Sequence, residues 1–240
     1  MRPTPPNWPP RASCANSSGR RRPPKVRILA VDTCLDACSA ALLDGDRVLA
    51  AVSEPMSRGH QERLAPMVAE MMASFGFEGL DRIASTVGPG SFTGLRVGLA
   101  FAKGLSAALS VPLVGVGSLP ALAGGRAGFV CAAVDARRSQ VYLQAFRDGA
   151  PLMAPDALAV ETAAARLAEL AGDGPVTLIG SGAPLLDGMI PGAMVERPGG
   201  PDPAWVARLA AMVREPIPTA RPLYLRTPDA KLPGGIDPYA

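Results

Sequence analysis

The chain predicts an α/β protein made of two similar halves, each a mixed sheet with flanking helices. Three observations carry this. An apolar strand closing on Val-Asp occurs twice, at 26–32 and 129–135, each time followed by a short turn and a second strand, which reads as an internal duplication. Strands joined by tight turns open the first half, and helices then alternate with strands. The 240 residues, 48% of them hydrophobic, supply enough apolar surface for one large or two small domains. The expected division is a tail over 1–25, a first subdomain over 26–117 and a second over 118–240, with a helix at 203–215 free to pack back on the first.

Residues 1–25 are rich in Pro, Arg and Ser without apolar periodicity, which predicts a disordered tail; the prolines would break the amphipathic helix of a transit peptide. Six of the 24 basic residues lie here with no acid, leaving 18 against 21 acids and a charge of −3 for the rest. A mildly acidic body is a poor candidate for holding nucleic acid by itself, although a local patch stays open. From Val26 the pattern reads as strands at 26–32, 37–43 and 47–53 around turns at 33–36 and 44–46. Residues 60–75 bring Leu64, Met67, Val68, Met71, Met72 and Phe75 to helical spacing, with Ala65 and Ala69 widening the apolar arc. A strand at 83–87 leads through a glycine loop to a helix at 95–110 and a strand at 112–116. The second half reads as strands at 129–135 and 140–146, a helix at 161–171, a strand at 176–181 and a helix at 203–215 carrying Trp205, Leu209, Met212 and Val213 on one face. The prolines of 217–232 predict an irregular surface segment.

The glycine loop, Gly88-Pro89-Gly90-Ser91-Phe92-Thr93-Gly94, can continue neither strand nor helix. Its amides and the Ser91 and Thr93 hydroxyls lie at the positive end of the next helix, where an anion is favoured. It lacks the lysine of a phosphate loop of the Walker type, and its glycines are one residue out of step with a dinucleotide fingerprint. Two readings stand: close packing of helix on strand, or a binding surface. In the helix behind it only Arg96, Lys103 and Ser106 interrupt an otherwise apolar sequence. Gly94, Gly98, Ala102 and Leu105 form one stripe of this helix, and Ala100, Gly104, Ala107 and Ala108 another. With so much apolar helix in the first half, a docking surface is expected on Leu64, Met67, Met71, Gly94, Gly98, Phe101, Ala102 and Leu105. Gly98→Arg would then block docking in a folded subunit, or unfold it if that stripe faces the chain's own sheet.

Cys14, Cys34, Cys38 and Cys131 form no CxxC pair, and a single histidine, His60, leaves no two-histidine zinc site, so no metal is expected. His60 could cap its helix or meet a partner. Asp32 and Asp135, at equivalent strand ends, could each hold a magnesium-bound water near a phosphate or cap their turns. The first role would make the protein an independent sugar-kinase-like ATPase. No apolar run reaches the roughly 20 residues of a membrane span, so a cytoplasmic location is expected.

Val31-Asp32-Thr33, Ala37-Cys38-Ser39, His60, GPGSFTGLRVG from Gly88 to Gly98, Asp135-Ala136-Arg137, Val141-Tyr142 and Tyr224-Leu225-Arg226 together resemble the TsaB/YeaZ family of the actin/Hsp70-like (ASKHA) superfold. The resemblance runs in order over 26–232. It makes Gly88, Gly90, Ser91, Thr93, Gly94 and Arg96 the family-motif loop. It implies a non-catalytic subunit, with no catalytic residue and no cofactor of its own, of the machinery that adds threonylcarbamoyl to the tRNA adenosine next to the anticodon. The implied partners are a TsaD-like subunit, which bears the metal and performs the transfer, and a TsaE-like ATPase that joins with ATP. Docking would use the helices of the first subdomain, with tRNA reached through the complex and a homodimer formed when the chain is alone. An ATP or ADP at the subunit junction is left open.

Overall fold

The computed structural model describes residues 26–172, 174–214 and 217–226. The Arg/Pro-rich tail and the expected segment beyond residue 226 lie outside the described residues. Strands β1 (Arg27–Asp32), β2 (Ala37–Asp44) and β3 (Arg47–Pro55) form an antiparallel meander, because Gly45, at φ 59°, permits the tight turn between β2 and β3. Helix α1 (His60–Met72) crosses to β4 (Arg82–Thr86), and α2 (Phe92–Leu109) to β5 (Leu113–Val116), both strands entering parallel. The first sheet runs β3-β2-β1-β4-β5.

A short helix, α3 (Ser118–Ala123), leads to the second sheet, which repeats this plan. Strands β6 (Phe129–Arg137) and β7 (Gln140–Arg147) are antiparallel. Two short strands, β8 (Ala150–Pro151) and β9 (Asp156–Ala159), pair with β7 and share the place that β3 fills in the first sheet. Helix α4 (Val160–Ala171) crosses to β10 (Val176–Ile179), parallel to β6, and β11 (Met194–Glu196) pairs with β10. The order β8-β7-β6-β10-β11 is the first sheet's order over again, so topology agrees with the duplication read from the two Val-Asp strands.

Helix α5 (Pro203–Met212) returns to the first sheet, where its Val206, Ala207 and Ala210 pack on Ile28, Ala30 and Ala84. Arg82 donates to the carbonyls of Ala210 and Val213 at 3.0 and 2.6 Å, satisfying the C-terminal end of α5. The other face of that sheet is covered by α1 and α2, through Leu64, Met67, Val68, Met72 and Ala102 over Leu29, Val31 and Leu42. The second sheet buries one face under α4 and the other against α3. Layers therefore run α1 and α2, first sheet, α5 and α3, second sheet, α4. Every strand of each sheet's centre is covered on both sides, which is why β1 and β6 read as continuous apolar runs.

Sequence periodicity did not mark α3, β8, β9 and β11. The three strands are two to four residues long without an apolar run like that of β5 or β10, and α3 is under two turns long. Helix α2 begins at Phe92 rather than 95, because the Ser91 hydroxyl accepts from the Gly94 amide at 3.2 Å and so caps the helix earlier.

Candidate functional site

The glycine loop is clamped onto the β1–β2 turn. Ser91 N–H donates to the Cys34 carbonyl at 2.7 Å, Leu95 N–H to the Ser91 carbonyl at 2.9 Å, and the Thr33 hydroxyl donates to the Gly94 carbonyl at 2.7 Å. A methyl group on Gly90 would stand 2.3 Å from the Cys34 carbonyl oxygen, and one on Gly94 would stand 2.0 Å from that of Thr33. The Ser118 hydroxyl donates to the Pro89 carbonyl. Of the two readings of this loop, close packing accounts for its glycines: the Ser91 and Gly94 amides at the helix start are spent inside the chain rather than offered to an anion.

Gly98 belongs to the same contact, since its Cβ would meet the Thr33 hydroxyl at 2.6 Å. Five of the eight expected docking residues thus turn inward. Leu64 and Met67 are each 1% exposed and lie in the core under α1, while Gly94, Gly98 and Ala102 face β1 and its turn. Met71, Phe101 and Leu105 are half-buried along the seam of the two helices. The surface that faces outward is the second stripe of α2, Ala100, Gly104, Ala107 and Ala108, with Arg96 and Lys103 on the same side, beside Ala65, Pro66 and Ala69 of α1. Gly104 has nothing within 4 Å of where its Cβ would sit. The signal for this phase was in the sequence: Arg96 and Lys103 are the charged positions of α2, and the stripe that flanks them is the one left to solvent.

The two strand-end aspartates differ. Asp32 is wholly buried; its Oδ1 accepts from the Thr86 hydroxyl and, at 3.1 Å, from the Cys34 amide. Its Oδ2 has no hydrogen-bond partner among the described residues, and Gly200 lies over it, so close that a Cβ there would be 3.3 Å away. Burial raises the carboxyl to about 6 against the lowering by those two hydrogen bonds. Asp135 is partly exposed, accepts from the Arg137 amide at 2.7 Å and meets the Arg137 guanidinium at 3.3 Å. Both cap their turns, as Asp does readily.

Between the halves the 197–203 segment covers the mouth of the β1–β2 turn, Gly199 coming so close that a Cβ would meet the Asp36 carbonyl oxygen at 2.8 Å. A cleft of about 440 Å³ remains beside it, lined by Ala37, Ser53, Leu122, Arg126, Ile179 and Pro201. Arg126 is already engaged by Glu196 at 2.6 Å. Burial pushes the Cys34 and Cys131 thiols up and the Cys38 thiol to about 11, which keeps them unreactive. His60 starts α1 but makes no capping bond; it is 8% exposed and its Nε2 is unpartnered. Among the described residues no group of three His, Cys, Asp or Glu could hold a metal ion, and no helix is long and apolar enough to cross a membrane.

One feature escaped the sequence reading. Phe92 and Tyr224, 47% and 46% exposed, lie with ring centroids 5.7 Å apart, and the Arg96 guanidinium sits 3.7 Å over the Phe92 ring. The two rings are separated by more than a hundred residues of sequence, so only the fold brings them together.

The family described as "TsaD: tRNA N6-adenosine threonylcarbamoyltransferase" matches residues 51–179. An uncharacterized protein of Mycobacterium tuberculosis is 35% identical over 213 residues, covering 85% of this chain and 93% of that protein. The tRNA threonylcarbamoyladenosine biosynthesis protein TsaB of Escherichia coli is 40% identical over 124 residues, 49% of this chain and 53% of its own length. The crystal structure of YeaZ from Pseudomonas aeruginosa superposes with a TM-score of 0.70 at 30% identity, covering 83% of this chain and all of that one.

Proposed function

From the premise that the chain belongs to the TsaB/YeaZ family, we propose that it is a non-catalytic subunit of tRNA N6-threonylcarbamoyladenosine synthesis that binds and supports a TsaD-like threonylcarbamoyltransferase. Relatives in several bacteria are named as tRNA threonylcarbamoyladenosine biosynthesis proteins, and participation in that modification follows for this chain. The TsaD-like partner, a TsaE-like ATPase and tRNA held through the complex are the finer parts of the proposal, with action in the cytoplasm.

The observation that carries the docking role is the outward face of the α1–α2 pair. Ala65, Pro66, Ala69, Ala100, Gly104, Ala107 and Ala108 make it smooth, and Met71, Phe101 and Leu105 supply apolar surface along its seam. Small residues let a second helix pair approach to near backbone contact, which a face of long charged side chains would prevent. Glu62 lies among the small residues of α1, Glu70 at their edge is held by Arg63 at 3.0 Å, and Arg96 and Lys103 border the face on α2. A second copy turned about a two-fold axis would set Glu62 against Arg96 and Lys103, which supports a homodimer when the partner is missing.

The kinase-like alternative loses support from the environment of its two aspartates. Asp32 is sealed under Gly200, and the Asp135 carboxylate is occupied by its own turn and Arg137. The test is co-expression with a TsaD-like protein, co-purification, and a threonylcarbamoylation assay with and without this chain. Co-purification with a rate that depends on the chain is expected; an unchanged rate without it refutes the proposal.

A further inference from the structure

The Phe92–Arg96–Tyr224 group comes from two stretches of the chain whose charge runs against that of the body. Residues 82–134 contain no Asp or Glu, nor do residues 217–226, and between them they carry Arg82, Arg96, Lys103, Arg126, Arg221 and Arg226. The 217–226 segment joins these parts physically. Leu223 N–H donates to the Val87 carbonyl at 2.7 Å beside the glycine loop, Arg96 Nε donates to the Tyr224 hydroxyl at 3.3 Å, and Arg226 donates to the Ala136 carbonyl at 2.9 Å in the β6–β7 turn. Two residues of extended chain span about 7 Å, and the length of the Arg226 side chain covers the rest of the way from Tyr224 to that turn.

The turn itself adds cations where a smaller residue would be easier. Arg137, Arg138 and Ser139 all have left-handed backbone, at φ 65°, 55° and 55°, a conformation that favours glycine or asparagine. The Arg137 side chain is 85% exposed, with its guanidinium 3.3 Å from the Asp135 carboxylate on one side. The line from α2's first turn along 221–226 to the β6–β7 turn therefore carries two adjacent, half-exposed rings flanked by guanidinium groups, that of Arg226 anchored on Ala136 and that of Arg137 beside Asp135. Base stacking on aromatic rings, with arginines tracking the phosphates, is how single-stranded nucleic acid is held without sequence readout.

We propose that Phe92, Arg96, Tyr224, Arg221, Arg226 and Arg137 form a direct contact surface for single-stranded RNA. This deepens the tRNA part of the function proposed above and rests on that reading for the identity of the RNA; the surface itself stands on its own chemistry. The acidic body limits such binding to this patch, in keeping with a subunit that adds to an RNA grip supplied mainly by its partners.

The test uses the full chain, tail included, so that the basic residues of 1–25 contribute equally to every variant. Fluorescence anisotropy follows a labelled oligouridylate about 12 nucleotides long, within the site size of such surfaces, as salt is varied. Tyr224→Ala should weaken binding about 5-fold or more while Tyr224→Phe keeps it, since a lost stacked ring costs at least that much. Arg96→Ala and Arg137→Ala should each make the plot of log affinity against log salt shallower by about 0.7, the value for one single-strand phosphate contact. Arg137→Ala removes a side chain that is 85% exposed, so its effect cannot be charged to unfolding. Arginine variants that weaken binding while Tyr224→Ala does not would mark a general polyanion contact and overturn the proposal, as would wild-type affinity in all of them. Loss of TsaD-like co-purification in Arg96→Ala or Tyr224→Ala with RNA affinity unchanged would assign the group to docking and equally overturn it. Because the RNA readout needs no partner protein, failure to associate with a TsaD-like protein would sink the subunit assignment and leave this measurement decisive for the patch.

Discussion

Gly94→Ala separates a helix fixed to its own sheet from a helix held for a partner. The added methyl would lie 2.0 Å from the Thr33 carbonyl oxygen, where ordinary contact begins near 3.4 Å, so about 1.4 Å must be found between two backbone segments. Neither yields cheaply: Thr33 closes β1 and Gly94 lies in the first turn of α2, and the retreat would break the 2.7 Å bond from the Thr33 hydroxyl to the Gly94 carbonyl. Overpacking costs about 1–3 kcal/mol, the hydrogen bond about 1, and strain on the Ser91 cap about 1. Alanine's better helix propensity offsets about 1 kcal/mol of this. The net loss is about 3 kcal/mol, or roughly 10 °C in Tm for a chain of this size. Urea unfolding followed by circular dichroism measures it, with Gly104→Ala as the control. Gly104 is exposed in the middle of the same helix with open space around it, and alanine there should stabilise by about 0.5–1 kcal/mol. Equal effects at the two positions would refute the assignment of the inward and outward stripes.

Gly98→Arg should unfold the protein rather than yield a folded subunit deficient in docking, because the long side chain would enter the buried Thr33 contact; a thermal melt that matches wild type would contradict this. Gly104→Arg should leave the melt within about 1 kcal/mol of wild type while abolishing co-purification with a TsaD-like protein, and intact co-purification would remove the outward face from the docking surface. Asp32 predicts a pH dependence. Its folded value near 6 exceeds the ordinary 3.8, so the folded state holds the proton more tightly, and the stability this contributes is full below about 3.8 and lost as pH rises through about 6. Wild-type stability relative to Asp32→Asn should therefore fall across that window by about 1–3 kcal/mol, read from urea midpoints between pH 4 and 8; a constant difference would refute the burial of an unpaired carboxylate oxygen.

The sequence determined the fold class. Its two Val-Asp strands, the hairpins after them and the helix-strand alternation are local patterns repeated with the same period, and pattern is what survives in one dimension. It also determined that the glycine loop had to be either a binding turn or a close contact, because three glycines and a proline cannot continue regular structure. Only the tertiary structure accounts for the glycines themselves, through the Thr33 and Cys34 carbonyls that lie where side chains would otherwise be. The same holds for the two small-residue stripes of α2. Alanine and glycine allow a helix to be approached from either side, so composition says that a close neighbour exists, and only the position of β1 says which stripe already has one. The equivalence of Asp32 and Asp135 was legible as position along a strand. The closure of Asp32 by Gly200 depends on a segment remote from it in the chain, while Asp135 stays partly exposed beside Arg137. Tyr224 carried no signal linking it to Phe92 and Arg96, four residues apart on α2, because it joins them only when the 217–226 segment crosses the glycine loop.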